Sequence, residues 1–431
     1  MHILFVHQNF PAQFGHIAAH LTKQLGWRCT FVSERTAGIV AGIERIQYKR
    51  EGGASKHNSY YTRNFETCIS HADAVYAALK ARPDIQPDLI VGHSGFGSTI
   101  FLREILDCPT INFFEYYYRA HLSDMDFRPD SPVAEKKYLR SRVRNAMILL
   151  DLQNCDAGYT PTEFQRNCFP EMYQRKLRTI FDGVDTRVYR RLAKPRRQWG
   201  KQVIGPNTRI VTYCSRGFEK MRGFDVFMKA AKRIYQQYPD VVFLVAGTDR
   251  VCYGGDKEQI QEQSLRHHLL NQDDYDLSKF IFVGWVQRPL LAQLLSLGDA
   301  HIYLTVPFVL SWSMMNAMSC GALVVGSKTE PVEEMVTDGQ NGFLVDFFDH
   351  EAFADRVVRI LKDPPAYDAM RENAMRMIHE QYSLDVMLPK MIGLYEGTIA
   401  KPNRDPTLVS RGNTSGYGVP GETPQLDQAT V

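Results

Sequence analysis

The sequence lacks several patterns that would assign it to a specialised class of protein. No apolar run approaches the ~18 residues that a membrane-spanning helix needs, so we expect no such helix. The eight cysteines form no CxxC pair and mostly sit beside apolar residues, which is typical of buried free thiols in a reducing cytoplasm. The formal net charge is only +3, with bases and acids interspersed, so we expect no nucleic-acid partner. Repeats of the solenoid type are also absent.

The length and composition indicate a globular protein of two domains. A chain of 431 residues exceeds one ordinary core and favours two domains of about 180–200 residues. Its hydrophobic content of 44% and charged content of 23% are globular values. The sequence starts at once with a strand, without a charged leader and apolar signal run, so we expect no signal peptide. Residues 401–431 are rich in Pro, Gly, Ser, Thr and Asn, which predicts a disordered tail.

A strand–helix–strand pattern with a polar start to its helix lies in the C-terminal half. The apolar runs at 300–306 and 322–326 predict buried parallel strands, and the run at 314–319 predicts a helix. Either Ser311 or Ser313 can cap that helix. Free backbone N–H groups at the carboxyl end of a parallel sheet form a ready anion site. On topology alone, an ordinary repeat of the fold remains the alternative.

The first domain carries a histidine at the end of a predicted strand. An apolar run at 2–7 predicts the first strand, followed by the loop 8–15. The run at 88–93 predicts a later strand that ends in His93, followed by small residues and an expected helix at 98–105. A histidine in this position is well placed to face a cleft, and a capping or core histidine is the alternative.

Acidic and aromatic residues follow the next predicted strand, at 109–114. Glu115 and three tyrosines at 116–118 suit sugar stacking and hydroxyl binding, although such clusters also serve cores and interfaces. Asp124 and Asp126 spell the D-x-D of metal-dependent sugar transferases. Because a three-residue match arises by chance and this one follows no strand, we assign no metal site.

The second domain begins with a basic loop between a strand and a helix. The predicted strand at 210–214 is followed by the loop SRGFEKMR and a helix predicted at 223–235. Arg216 and Arg222 lie on this loop, beside the start of the helix. Two cations in this position suit a diphosphate whose leaving charge must be stabilised, whereas solvated basic side chains are the alternative.

The C-terminal block resembles the signature of retaining glycosyltransferases of family 4. That pattern reads like EGFGLVxLEAMACGxPVV followed by EIVxDGxxGxLVxPxD. Here NAMSCG at 316–321 stands where EAMACG is expected, and EMVTDG at 334–339 and GFLV at 342–345 match the second half closely. Two positions depart from the family. Its paired glutamates would fall at Phe308 and Asn316, and neither is a carboxylate.

The resemblance covers roughly residues 1–401 and implies an α/β fold of GT-B architecture, with two Rossmann-like domains facing a cleft. The segment TIFDGVD at 179–185 resembles the family's segment at the boundary between the first and second domains, with Asp182 in place of an asparagine. It implies an acceptor-side domain over 1–185, a nucleotide-sugar domain over 186–382 and a crossover helix at about 383–400.

The resemblance also implies the role of each candidate residue. Arg216 and Arg222 would stabilise the leaving pyrophosphate, with Lys220 as a less well-placed competitor, and His93 would contact the sugar. Asn316 would bind the ribose, and Glu334 would lie near the phosphates. The catalytic residues are thus predicted to be His93, Arg216 and Arg222. The donor-binding residues are predicted to be Gly15, Arg216, Arg222, Val286, Ser311, Ser313, Asn316 and Glu334. The predicted acceptor residues are Gln8, Asn9, Glu115 and Tyr117.

The implied activity is transfer of a sugar, with retained configuration, from a UDP- or GDP-sugar to a glycan, lipid-linked or small-molecule acceptor. The nucleotide sugar is a co-substrate, and no cofactor or metal is expected. A GT-B epimerase, a phosphorylase and a catalytically silent nucleotide-binding scaffold remain alternatives. A basic helix predicted at 135–152 suits solvent, with contact to anionic lipid as the alternative. The expected location is therefore the cytoplasm, with peripheral contact at the inner membrane face left open.

Overall fold

A computed structural model describes residues 1–35, 38–97, 99–256 and 260–403 of the chain. The tail predicted at 401–431 therefore lies outside the described residues, apart from its first three. No helix within the described ranges combines the length and apolar character that crossing a membrane requires.

The first half of the chain forms a parallel sheet with helices around it. Its strands are β1 (His2–Val6), β2 (Arg28–Ser33), β3 (Ile43–Gln47), β4 (Leu89–His93), β5 (Thr110–Phe113), β6 (Ala157–Thr160) and β7 (Leu177–Thr179). Its helices are α1 (Gly15–Leu25), α2 (Arg63–Lys80), α3 (Glu135–Asn154), α4 (Glu163–Asn167) and α5 (Glu171–Gln174). The strand order is β3-β2-β1-β4-β5-β6-β7, and β1, β4 and β5 are buried along their whole length. We call this unit the first lobe.

The second half repeats the arrangement. A small hairpin of β8 (Gln198–Trp199) and β9 (Gln202–Val203) precedes it. Its strands are β10 (Arg209–Gly217), β11 (Val241–Thr248), β12 (Phe280–Gly284), β13 (Ala300–Tyr303), β14 (Leu323–Ser327) and β15 (Phe343–Val345). Its helices are α6 (Phe224–Gln237), α7 (Leu265–Gln272), α8 (Arg288–Leu297), α9 (Trp312–Ser319), α10 (Glu330–Glu333), α11 (His350–Lys362) and α12 (Asp368–Met377). The parallel order is β12-β11-β10-β13-β14-β15. We call this unit the second lobe.

The last helix, α13 (Leu384–Ala400), returns to the first lobe. Val184 anchors its start, because its amide donates to the Tyr382 carbonyl at 2.8 Å and its carbonyl accepts from the Leu384 amide at 2.9 Å. Tyr395 of this helix is fully buried in a core shared with strands of the first sheet. The residue limits predicted for the two domains stay a prediction.

Both sheets have the doubly wound strand order of the Rossmann fold, which confirms the predicted α/β architecture of two Rossmann-like units. In each sheet, the strands on either side of the first strand are reached by crossovers in opposite directions. The two switch points lie between β1 and β4 and between β10 and β13. Ligands of such sheets bind outside the carboxyl ends of the strands at the switch point, which locates two candidate sites from topology alone.

One predicted helix differs from the observed structure. Instead of a helix at 98–105, a short 3-10 turn covers Leu102–Glu104. A side-chain hydrogen bond of 3.3 Å from Thr99 to Asn112 ties this segment to β5. The short helix α10 has Pro331 in its first turn, where proline is compatible with a helix start.

Candidate active site

A cavity of about 500 Å³ lies between the two lobes. Residues that follow β4 and β5 line it from the first lobe, and loops that follow β10, β11 and β13 line it from the second. The carboxyl ends of both sheets therefore open into the same space. This arrangement allows groups from the two switch points to act on one bound molecule.

His93 ends β4 and lines this cavity. Its Nδ1 lies 2.9 Å from the Ser94 carbonyl, which only accepts, so Nδ1 carries the proton and Nε2 is left as an acceptor. The ring packs edge-on against His7, Phe96 and Phe113, and burial lowers the pKa of His93 well below its usual value. A neutral imidazole with a free acceptor nitrogen is suited to a sugar hydroxyl.

The loop after β1 is tied to the same switch point. The Gln8 amide donates to the Phe96 carbonyl at 3.0 Å, and the Asn9 amide donates to His7 Nδ1 at 2.9 Å. Gly15 starts α1 where a Cβ would lie 2.8 Å from the Pro11 ring, so a larger residue would displace this loop. The three predicted residues Gln8, Asn9 and Gly15 thus lie on one loop beside β4, although none of them is among the residues lining the cavity.

Glu115 faces the second lobe from the first. Burial raises the pKa of this carboxyl, and the positive charges of Arg216 and Arg222 act against that rise. Its neighbours Tyr116 and Tyr118 line the cavity with it, whereas Tyr117 packs against Phe169 with ring centres 5.4 Å apart. Tyr117 therefore lies outside the cavity lining, and its role at the acceptor stays a prediction.

The D-x-D carboxylates are both engaged in local hydrogen bonds. Asp126 accepts from the amides of Leu122 and Ser123 at 2.8 and 2.9 Å. Asp124 accepts from the Tyr116 hydroxyl at 2.9 Å, and burial raises the pKa of Asp124 to about 6. Within the described residues, no group of three or more His, Cys, Asp or Glu side chains is arranged to hold a metal ion.

The basic loop after β10 folds back over the second switch point. Gly223 has a φ of +59°, and a Cβ there would lie 2.6 Å from Leu304, so only glycine fits this turn into α6. The buried Arg222 donates to the Thr305 hydroxyl at 2.7 Å, which joins the ends of β10 and β13. Arg216 is exposed, 3.5 Å from the Tyr253 hydroxyl, and Lys220 reaches Ser131 of the first lobe at 3.1 Å.

An aromatic ring occupies the position of the family's first glutamate. Phe308 lines the cavity and packs edge-on against Tyr116, at 4.7 Å between ring centres, and against Tyr253 at 5.4 Å. Asn316, at the second position, is buried within α9, whose start is capped by Ser311 accepting from the Ser313 amide at 3.3 Å.

The remaining donor predictions lie beyond the cavity lining. Val286 is half-buried just after β12. The Glu334 carboxylate accepts from the backbone amides of Glu163 and Phe164, each at 2.8 Å. It therefore caps α4 of the first lobe, a contact between lobes that the sequence did not reveal. A role of Glu334 at the phosphates stays a prediction.

Two further carboxylates shape the site and were missed from the sequence. Glu219 accepts from the amides of Cys252 and Tyr253 at 2.7 and 2.9 Å, and burial raises its pKa to about 7. It holds the loop after β11 against the basic loop. Asp225 of α6 binds Arg128 of the first lobe in a bidentate pair at 3.0 and 2.6 Å. No local sequence pattern identifies a pair of residues 97 positions apart.

Two family models match the chain. The model of the Glycosyl transferase family 4 group matches residues 25–189, and the model of Glycosyl transferases group 1 matches residues 196–377. Together they extend over most of both lobes and meet at the connection between them.

Among curated proteins, the chain is 22% identical over 224 residues to N-acetyl-alpha-D-glucosaminyl L-malate synthase of Bacillus anthracis, covering 52% of this chain and 53% of the relative. It is 21% identical over 291 residues to D-inositol 3-phosphate glycosyltransferase of Corynebacterium urealyticum, covering 66% and 64%. The matches thus span about half to two thirds of these relatives.

Solved structures share the fold over nearly the whole chain. Sucrose-phosphate synthase from Thermosynechococcus elongatus superimposes with a TM-score of 0.70 at 19% identity, covering 93% of this chain and 99% of that one. The Anabaena protein HepE, solved in complex with UDP-glucose, gives 0.67 at 15% identity, covering 92% and 100%. At these identities the likeness establishes the two-lobed fold.

Proposed function

The chain belongs to the family 4 glycosyltransferases of group 1, with GT-B architecture, and from this premise we propose that it transfers a sugar from a nucleotide diphosphate sugar with retained configuration. The observation that carries the proposal is the meeting of two switch points across one cavity. Glu115 and His93 face it from the first lobe, and the loop bearing Arg216 and Arg222 approaches it from the second.

The proposed donor site lies at the second switch point. Arg222, fixed to Thr305, and the exposed Arg216 would stabilise the negative charge that develops on the leaving diphosphate. Cations of the protein would then supply the charge stabilisation that a divalent metal supplies elsewhere. Asn316, on α9, is proposed to contact the ribose of the nucleotide. Val286 is proposed to lie near the nucleotide base. Ser311, Ser313 and Glu334 complete the proposed donor set.

The proposed sugar and acceptor sites lie at the first switch point. His93 would accept a hydrogen bond from a hydroxyl of the transferred sugar through Nε2. Glu115, with the loop carrying Gln8 and Asn9, would receive the acceptor. A half-buried carboxyl with a raised pKa, on which the charges of two arginines act, is suited to orient a hydroxyl group.

The names of related proteins support a nucleotide sugar as donor. HepE has been solved with UDP-glucose, and the curated relatives are named as transferases or synthases of glycosides. We therefore propose UDP or GDP as the nucleotide. We also propose a cytoplasmic location, since all eight cysteines are free thiols and six of them are buried.

A panel of UDP- and GDP-sugars, screened by thermal shift and then by turnover, tests the proposal. A bound donor should raise the melting temperature by mass action, and hydrolysis of the same donor should follow in excess EDTA. Turnover that requires added magnesium or manganese would contradict the metal-independent mechanism and implicate Asp124. Inverted product configuration would contradict retention.

One observation favours a second candidate, a nucleotide-binding protein without transferase activity. Phe308 fills, with an apolar ring, the position of a family glutamate, and Tyr116 and Tyr253 enclose that ring. Nucleotide binding without turnover of any donor would support this candidate. Conversion of the donor to an epimer, or its cleavage by phosphate, would support the epimerase or phosphorylase alternatives.

A further inference from the structure

One face of α3 turns its cations into the cavity. Lys137, Arg140 and Arg144 follow each other at spacings of three and four residues, which brings them onto one side of the helix. All three line the cavity. Tyr60 and Tyr118 of the first lobe also line the cavity. We call these three cations and two aromatic rings the α3 wall.

The two arginines are held by aromatic rings rather than by carboxylates. The Arg140 guanidinium lies 4.9 Å from the centre of the Tyr60 ring, and the Arg144 guanidinium lies 3.7 Å from that of Tyr118. Arg144 also donates to the Tyr118 hydroxyl at 2.7 Å. In the described part of the chain, neither arginine lies within ion-pair distance of a carboxylate, although the charge of Arg144 acts on the Asp124 carboxyl of the same cavity. The buried Nε of Arg140 has no hydrogen-bond partner. Aromatic stacking orients a guanidinium and leaves its in-plane donors for a ligand.

Arg128, which also lines the cavity, differs from Arg140 and Arg144 because carboxylates bind it. Arg128 is bound by Asp225 at 2.6 Å and by Asp130 at 2.8 Å, so its charge is already neutralised by the protein. Lys137 extends toward the second lobe, where its amine lies 2.7 Å from the position that a Cβ on Gly255 would occupy. Among the three arginines that line the cavity, Arg140 and Arg144 are therefore the two that no carboxylate binds in an ion pair.

We propose that the acceptor carries an anionic group, a carboxylate or a phosphate, which binds the α3 wall at Arg140 and Arg144. This inference rests on the proposed function, because it names the acceptor class of that reaction. These cations belong to the first lobe, whereas the proposed diphosphate contacts, Arg216 and Arg222, belong to the second and are not among the lining residues of the cavity. The two arginine pairs are thus assigned to two different anions.

Titration calorimetry on the full chain tests the proposal with two probes, inorganic phosphate and succinate, at constant ionic strength. Each titration is done with the nucleotide site empty and with it saturated by UDP or GDP. The wild-type protein should bind at least one probe in both states. Tighter binding of phosphate indicates a phosphorylated acceptor, and tighter binding of succinate indicates a carboxylate acceptor.

Substitutions on α3 identify the site. Arg140→Ala and Arg144→Ala should each weaken probe binding by about tenfold, the effect of losing one charge-assisted hydrogen bond. Arg140→Lys should retain part of the affinity. Arg142→Ala is the matched control, because Arg142 is exposed on the same helix and does not line the cavity, and its affinity should stay within about twofold of wild type.

Three results would overturn the proposal. The first is that the wild-type protein binds neither probe. The second is that Arg142→Ala loses as much probe affinity as Arg140→Ala. The third is that Arg140→Ala loses nucleotide affinity, which would assign these cations to the donor. Failure of the proposed function has a different signature. In that case the protein would bind no nucleotide, while the phosphate or succinate titrations would still report on the α3 wall.

Discussion

The two switch points share one strand topology and differ in their chemistry. At the first, the neutral ring of His93 packs among His7, Phe96 and Phe113. At the second, Arg222 is fixed to Thr305 and keeps its charge beside Tyr253 and Phe308. The strand order determines where a ligand can bind, and the side chains at each crevice determine which part of the ligand suits it. A neutral imidazole suits hydroxyl groups, and a fixed guanidinium suits a diphosphate.

The strongest test of this contrast is removal of the buried cation. Arg222→Ala should lower kcat/KM by about 100-fold or more, because about 3 kcal/mol of stabilisation by a fixed charge is lost in the transition state. Arg216→Ala, at the exposed position, should cost about 2 kcal/mol. Steady-state kinetics with the identified donor measure both effects.

Arg233→Ala supplies the control for these variants. Arg233 forms a surface pair with Glu351 at 3.0 Å, and its loss should change activity by less than about twofold. Activity within about threefold of wild type in Arg222→Ala would remove this residue from the diphosphate site.

A second test concerns the contact between the two lobes at Asp182, which accepts from Trp312 Nε1 at 2.8 Å. Burial raises the pKa of Asp182 to about 7, from a usual value of 3.8. Between those values the folded protein holds the proton and the unfolded chain does not, so stability falls as pH rises. The loss is up to about 1.4 kcal/mol per pH unit and levels off above the folded-state pKa.

Asp182→Asn should remove this fall of the free energy of unfolding with pH, because an amide does not titrate. The contact between the lobes should remain, since an amide oxygen can still accept from Trp312. Denaturant unfolding at a series of pH values measures the slope. Asp185→Asn, three residues further along, should keep the wild-type slope. An unchanged slope in Asp182→Asn would show that Asp182 is ionised in the folded protein across this range.

The third test concerns the neutral side of the comparison. His93→Ala should lower kcat/KM by about tenfold, or about 1.4 kcal/mol, the scale of one neutral hydrogen bond to the sugar. Because the ring is neutral throughout, the pH dependence of activity between about pH 6 and pH 8 should be the same in variant and wild type. Loss of a titration step in His93→Ala would instead mean that the ring is protonated during the reaction. His20→Ala, on α1, is the control.

The smallest effect is expected at Asn316. Asn316→Glu should tighten nucleotide binding by a few-fold, because a charged acceptor binds hydroxyl groups by about 1 kcal/mol more than a neutral amide. Repulsion between the new carboxylate and the diphosphate offsets part of this gain. Calorimetric titration of the nucleotide into both forms measures the difference. Unchanged affinity would mean that Asn316 does not face the donor.

Much of the fold could be predicted because its signals are local. The buried strands are continuous apolar runs, so β1, β4, β5 and β14 were predicted within one residue at each end. The helix expected at 98–105 was wrong, and the hydrogen bond from Thr99 to Asn112 that ties this segment to β5 depends on a strand further along the chain. The position of Tyr117 outside the cavity lining has a similar cause, since its packing partner Phe169 lies further along the chain.

The sequence by itself determined the repeated α/β pattern, the family, and the residue types at the ends of β4 and β10. These follow from apolar periodicity and from short motifs, which need only a few neighbouring residues. Tertiary structure alone decided which charges are available to a ligand. Arg128 is neutralised by Asp225, while Arg140 and Arg144 stack on tyrosines, and all of these partners are distant in the chain. Charge pairing depends on distances between side chains, and only the folded chain sets those distances.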